Sequence, residues 1–166
     1  MLNRLEELEA YAESLGIVID DSTLQKHHSL DGLYIEVSDI HIILLNRHRT
    51  QACQYVALAE ETGHYFRSTG NIVRLSTVLQ RKSENAGKAW AIEFLLPICK
   101  FTYSALFHHC KTAADFAAIH DFPVEFVAEA IAYYQRKGLW LDAISTPYRY
   151  TSLVGRSMYV PVFGAK

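Results

Sequence analysis

No run of about 18 apolar residues occurs in this chain, so a membrane-spanning helix is not expected. It has little surplus of either charge: 16 Lys and Arg against 18 Asp and Glu give a formal net charge of −2. That denies it the broad positive field of a nucleic-acid or acidic-lipid binder. Cysteine is scarce and odd in number (Cys53, Cys99 and Cys110), with no C-x-x-C pair. All three stand in apolar surroundings, and reduced core thiols in a cytoplasmic protein are expected. There is no internal repeat and no low-complexity linker. The opening Met1-Leu2-Asn3-Arg4-Leu5-Glu6-Glu7-Leu8 reads as an amphipathic helix, not a signal peptide, because acids interrupt any apolar core. What remains is 166 residues, half of them hydrophobic, enough for one compact domain or one with a small appendage.

Leu2 to Leu15 predicts the first helix, with Leu5, Leu8 and Leu15 towards the core and Gly16 as its stop. Ile17-Val18-Ile19 predicts a short strand ended by Asp20-Asp21-Ser22. His27 and His28, in the loop that follows, diverge on most backbones and read as surface residues. Leu33 to Val37 and His41 to Asn46, parted by Ser38-Asp39, predict an antiparallel hairpin; so small a sheet must pack one face on helices. Thr50 to Phe66 predicts the next helix. Ser83 suits an N-cap for a helix over Glu84 to Leu96, which Pro97 ends or kinks. Cys99 to Cys110 reads as a further helix. Residues 112–119 and 123–134 form a helical pair around His120-Asp121-Phe122, and Gly138 closes it. The pair is similar to a helix-turn-helix, but Glu125 and Glu129 stand where a DNA reader needs Arg, Lys, Asn or Gln, so direct DNA binding is not expected. The apolar, aromatic stretch from Leu139 to Lys166 suits a hairpin around Gly155 or a partner. The expected fold is α+β: a small antiparallel sheet packed on a long helix within residues 1–98, a helical extension over 99–138, and a tail over 139–166 of unassigned role.

Chemistry concentrates at the end of the Thr50–Phe66 helix. Cys53, Val56, Ala57, Glu60 and His64 share one face, with Tyr55, Leu58 and Phe66 opposite, so the helix is apolar nearly all round and should be buried. Buried carboxylates need a partner, a proton or a metal. Glu60 and His64 stand one turn apart and can reach one ion. Glu61 is rotated about 100° from Glu60 and could hold a water beside it. The pentapeptide Glu60-Glu61-Thr62-Gly63-His64 is the zincin pattern H-E-x-x-H with Glu in the first position. The plainer alternative is a pair of salt-bridged acids, with His64 placed to suit the helix dipole. On the next helix Glu84, Gly87, Lys88, Ala91 and Leu95 share a face. The small Gly87 and Ala91 would admit a neighbouring helix closely enough for Glu84 to reach the first; otherwise Glu84 is an acid favoured by a helix N-terminus.

The order of these parts is more specific than any one. Strands carrying Gly-Leu-Tyr and Ile-Ile-Leu-Leu-Asn precede Leu58-Ala-Glu-Glu-Thr-Gly-His-Tyr-Phe66. Then comes Glu84-x-x-Gly-x-Ala-Trp-Ala-x-Glu-x-Leu-Leu-Pro97, and a helical pair ending in Ala-Ile-Ala-Tyr-Tyr. Over roughly residues 5 to 138 this resembles the ImmA/IrrE family of metallopeptidases, in the short form carried by phages and integrative elements. The resemblance implies a zinc ion held by Glu60, His64 and Glu84, with Glu61 as the catalytic glutamate. Glu60 departs from the commoner His. Two carboxylates and one imidazole would neutralise the ion, weaken its Lewis acidity and favour harder ions such as Mn²⁺. The implied substrate is a helix-turn-helix repressor encoded on the same element, whose cleavage relieves repression. A rival from another class is a module that grips a repressor or other partner without cutting it. A third, a DNA-binding regulator using residues 112–135, is opposed by the acids on its second helix.

Overall fold

The computed structural model describes residues 2–21, 30–67 and 77–139. The expectations for His27, His28 and the tail beyond Leu139 fall outside the described residues. In chain order the elements are α1 (Arg4–Ser14), β1 (Ile17–Asp20), β2 (Gly32–Val37), β3 (Ile40–Leu45), α2 (Gln51–Arg67), α3 (Thr77–Leu95), α4 (Ile98–Phe107), α5 (Ala113–His120) and α6 (Val124–Arg136). The fold is α+β. Two compact units form, one from the chain up to Leu95 with Asp121–Pro123, the other from Leu96–His120 and the chain from Val124 on. No helix among the described residues is long and apolar enough to cross a membrane.

In the first unit, Asn3 caps α1 through a reciprocal box with Glu6. Gly16, at φ 81°, takes the left-handed turn that frees the chain to enter β1. The hairpin of β2 and β3 is antiparallel, with Tyr34 opposite Ile43. The sheet is not wholly antiparallel, however: β1 joins β3 in parallel, Ile19 opposite Ile43, and the strand order is β1-β3-β2. The other edge, that of β2, is where the Glu61 carboxylate accepts from the Tyr34 N–H, and β1 takes the free side of β3. Residues paired across strands share a face. Ile17, Tyr34, Ile43 and Leu45 on one face are buried, at roughly 1.5–3 kcal/mol of hydrophobic stabilisation each. On the other face Val18, Leu33, Val37 and Ile40 are exposed.

Val56 to Ala59, Thr62 and His64 of α2 are all buried, as an apolar helix requires. An aromatic ladder of Phe66, Trp90, Phe94 and Tyr11 runs across α2, α3 and α1, with ring centroids 4.6–6.2 Å apart. Helix α3 starts earlier than expected: it runs from Thr77, so Ser83 lies within it and is not its cap. The stretch Val78-Leu79-Gln80-Arg81-Lys82 is rich in good helix formers, and Ser caps only where the preceding backbone leaves the helical region. Pro97 stands in the break between α3 and α4, as expected. The helix expected to reach Cys110 stops at Phe107; His109 takes φ 56°, and the Cys110 N–H returns to the Ser104 carbonyl. In the second unit, Phe101 meets Phe116 and Tyr134 edge-on, and the Tyr134 hydroxyl donates to the Leu96 carbonyl.

Candidate active site

The site lies where α2 crosses α3, and glycine sets how close they come. A Cβ on Gly63 would stand 2.6 Å from the Gly87 carbonyl oxygen and 3.1 Å from Gly87 Cα. A Cβ on Gly87 would stand 2.8 Å from both Cε1 and Nε2 of His64. Mid-helix glycine weakens a helix, and here it lets backbone touch backbone and an imidazole lie against the next helix. The role read for Gly87 holds. Gly63 was not singled out, although a glycine inside so apolar a helix was the available signal.

His64 is only 5% exposed. Its Nε2 faces Glu84 Oε2 at 3.8 Å, beyond hydrogen-bond length. Its Nδ1 is buried and has no hydrogen-bond partner. Burial holds the His64 pKa below the usual histidine value, against the pull of Glu84, so the ring is neutral at pH 7 with a lone pair to give. The Glu84 side chain is 60% exposed, so the gap between the two donors opens to solvent on the α3 side.

Glu61 projects the other way, onto the outer edge of β2. Its Oε2 accepts from the Tyr34 N–H at 2.8 Å. Burial pushes its carboxyl up to about 8; the Tyr34 N–H opposes the shift, and Glu60 and Glu84 add to it. A carboxylic acid of that pKa gives and takes protons near neutrality. Glu84 is therefore within electrostatic reach of Glu61. Beside them, the Tyr34 hydroxyl and His41 Nδ1 share a 2.7 Å hydrogen bond, and burial, with Glu36 adding, pushes the Tyr34 phenol up to about 12. Tyr65 turns its hydroxyl to the Leu15 carbonyl.

Of the four residues expected at the site, His64 and Glu84 face each other, and Glu61 lies within electrostatic reach of Glu84. Glu60 is half-buried one turn before His64. No group of three or more His, Cys, Asp or Glu side chains among the described residues is gathered closely enough to hold a metal. The fit to a divalent cation is therefore carried by one pair. A neutral imidazole whose two nitrogens lack protein hydrogen bonds faces a solvent-open carboxylate, and a further carboxylate, that of Glu60, stands one turn before the imidazole on α2. The sequence profile described as the IrrE N-terminal-like domain matches residues 12–132. No curated protein and no solved structure matches the chain.

Proposed function

The chain belongs to the IrrE N-terminal-like domain family, a peptidase family, and from that premise we propose that it is a metal-dependent endopeptidase. The observation that carries the proposal is His64 Nε2 facing Glu84 across the α2–α3 crossing, with Glu61 on the sheet edge within electrostatic reach of Glu84. Glu60, His64 and Glu84 would hold the ion. When bound, a divalent cation supplies Lewis acidity. The carboxylate-rich donors suit Zn²⁺ and, being hard, Mn²⁺.

The chain's own groups do the rest. Glu61 takes a proton from the attacking water and returns it to the leaving amine, held in place by the Tyr34 N–H. The outer edge of β2 gives an extended peptide something to pair with. Asn46 N–H donates to the Asp31 carbonyl, so odd-numbered residues of β2 bond to β3 and even-numbered ones point their N–H and C=O outward, past Glu61. The substrate of a peptidase is a polypeptide. We assign it as a helix-turn-helix repressor of a phage or mobile element, supported by the resemblance to the short forms such elements carry. The exposed Glu125 on α6 supports protein rather than DNA as the partner.

A second reading has one observation in its favour: two donors, not three, converge. On it, the chain binds the repressor or another partner without cutting. Glu61→Gln decides between them. The endopeptidase reading expects a loss of about 10³-fold or more in kcat with metal content unchanged. Equal partner binding by both forms, with no cleavage by either, supports the binding module.

A further inference from the structure

Gly32 begins β2, and its backbone does not require glycine. The glycines with positive φ among the described residues are Gly16 and Gly138. Glycine in a strand weakens it and marks a close approach by something else. Here the approaching group is Glu61. A Cβ on Gly32 would stand 2.9 Å from Glu61 Cγ and 3.3 Å from Glu61 Oε1; its next neighbour, Ala57 Cβ at 3.5 Å, is an ordinary contact. Two residues along the same strand, the Tyr34 N–H holds Glu61 Oε2. One strand thus leaves room for the stem of Glu61 and anchors its head.

We propose that Gly32 is a positioning residue: its missing side chain, with the Tyr34 N–H, sets the direction of the Glu61 carboxyl. The proposal rests on the reading of Glu61 as the proton-transfer group. Glu61 is flexible at its far end, so a methyl group at position 32 turns the carboxyl away and leaves the strand in place. Glu60, His64 and Glu84 are not among the atoms that such a methyl group would crowd.

The test is Gly32→Ala, with three readouts on the full chain. Displacing a reacting group by about 1 Å costs on the order of 10²-fold, so kcat should fall roughly 10- to 100-fold while KM stays within about 2-fold. Zinc uptake should match wild type. Independently of activity, the Tyr34 amide should exchange with solvent about 10-fold or more faster, while the Leu33 and Ile35 amides, which bond to β3, keep their rates. An unchanged Tyr34 amide or an unchanged kcat in an active enzyme overturns the proposal. So does a joint fall of kcat, zinc uptake and Leu33 and Ile35 protection, which would make Gly32 a plain packing residue of the strand. If the wild type cleaves nothing, the peptidase reading fails, and the Tyr34 exchange rate still decides whether Gly32 positions Glu61.

Discussion

Each unit holds a histidine facing an oxygen-bearing side chain, and the two differ in one respect. In the helical unit, His120 Nε2 and the fully buried Ser104 hydroxyl share a 2.6 Å hydrogen bond that ties α5 to α4. In the unit with the sheet, His64 Nε2 stops 3.8 Å short of Glu84, and Nδ1 has no partner. A buried polar atom left unmatched costs about 1–3 kcal/mol. The protein carries that cost at His64 and avoids it at His120. A satisfied histidine does structural work; an unsatisfied one, set among carboxylates, is available to something from outside the chain.

The contrast can be broken most strongly at Gly63. Its Cβ would meet backbone, which cannot turn aside, so Gly63→Ala must force α2 from α3. The expected loss exceeds ~3 kcal/mol, the top of the usual overpacking range, together with cation uptake, as read by denaturant melts and metal titration. Next is Glu61→Gln in metal-free protein. The folded pKa of Glu61 is about 8 against an ordinary 4.5, so between these values the native state binds the extra proton, and stability falls as pH rises. Glutamine removes that slope. The stability of the variant should match wild type near pH 5 and exceed it at pH 8, by on the order of 3 kcal/mol, read from denaturant melts at each pH. A gap that does not widen with pH would refute the burial of this carboxyl. The smallest effect is at the other histidine: Ser104→Ala should cost about 1–2 kcal/mol and leave metal uptake alone, measured in the same two assays.

Much of this was legible in the sequence, and the reasons differ by element. The hairpin announced itself through β-branched strands around Ser38-Asp39, and the site helix through three- and four-residue spacing. Gly87 and Ala91 put Glu84 within reach of the site helix, because small residues on a helix face mean close approach whatever the fold; its place beside His64 in a ligand set came from the family resemblance. The parallel pairing of β1 was not legible: Ile17-Val18-Ile19 specifies a strand, but its neighbour is set by tertiary packing that a short apolar run does not encode. The start of α3 was misjudged because Ser83 has the right chemistry for a cap, and only the helical backbone before it shows otherwise. The orientation of Glu61 is a tertiary property, fixed by a strand some 27 residues earlier.

The central claim is that His64 and Glu84 belong to a cation site. It is tested most directly by titrating chelator-stripped protein with Zn²⁺ and with Mn²⁺ by calorimetry, using wild type, His64→Ala and Ser104→Ala. The account predicts one ion per chain in wild type and in Ser104→Ala, with affinity at least about 100-fold weaker in His64→Ala. Wild type that takes up neither ion, or His64→Ala that binds as tightly as wild type, would contradict it.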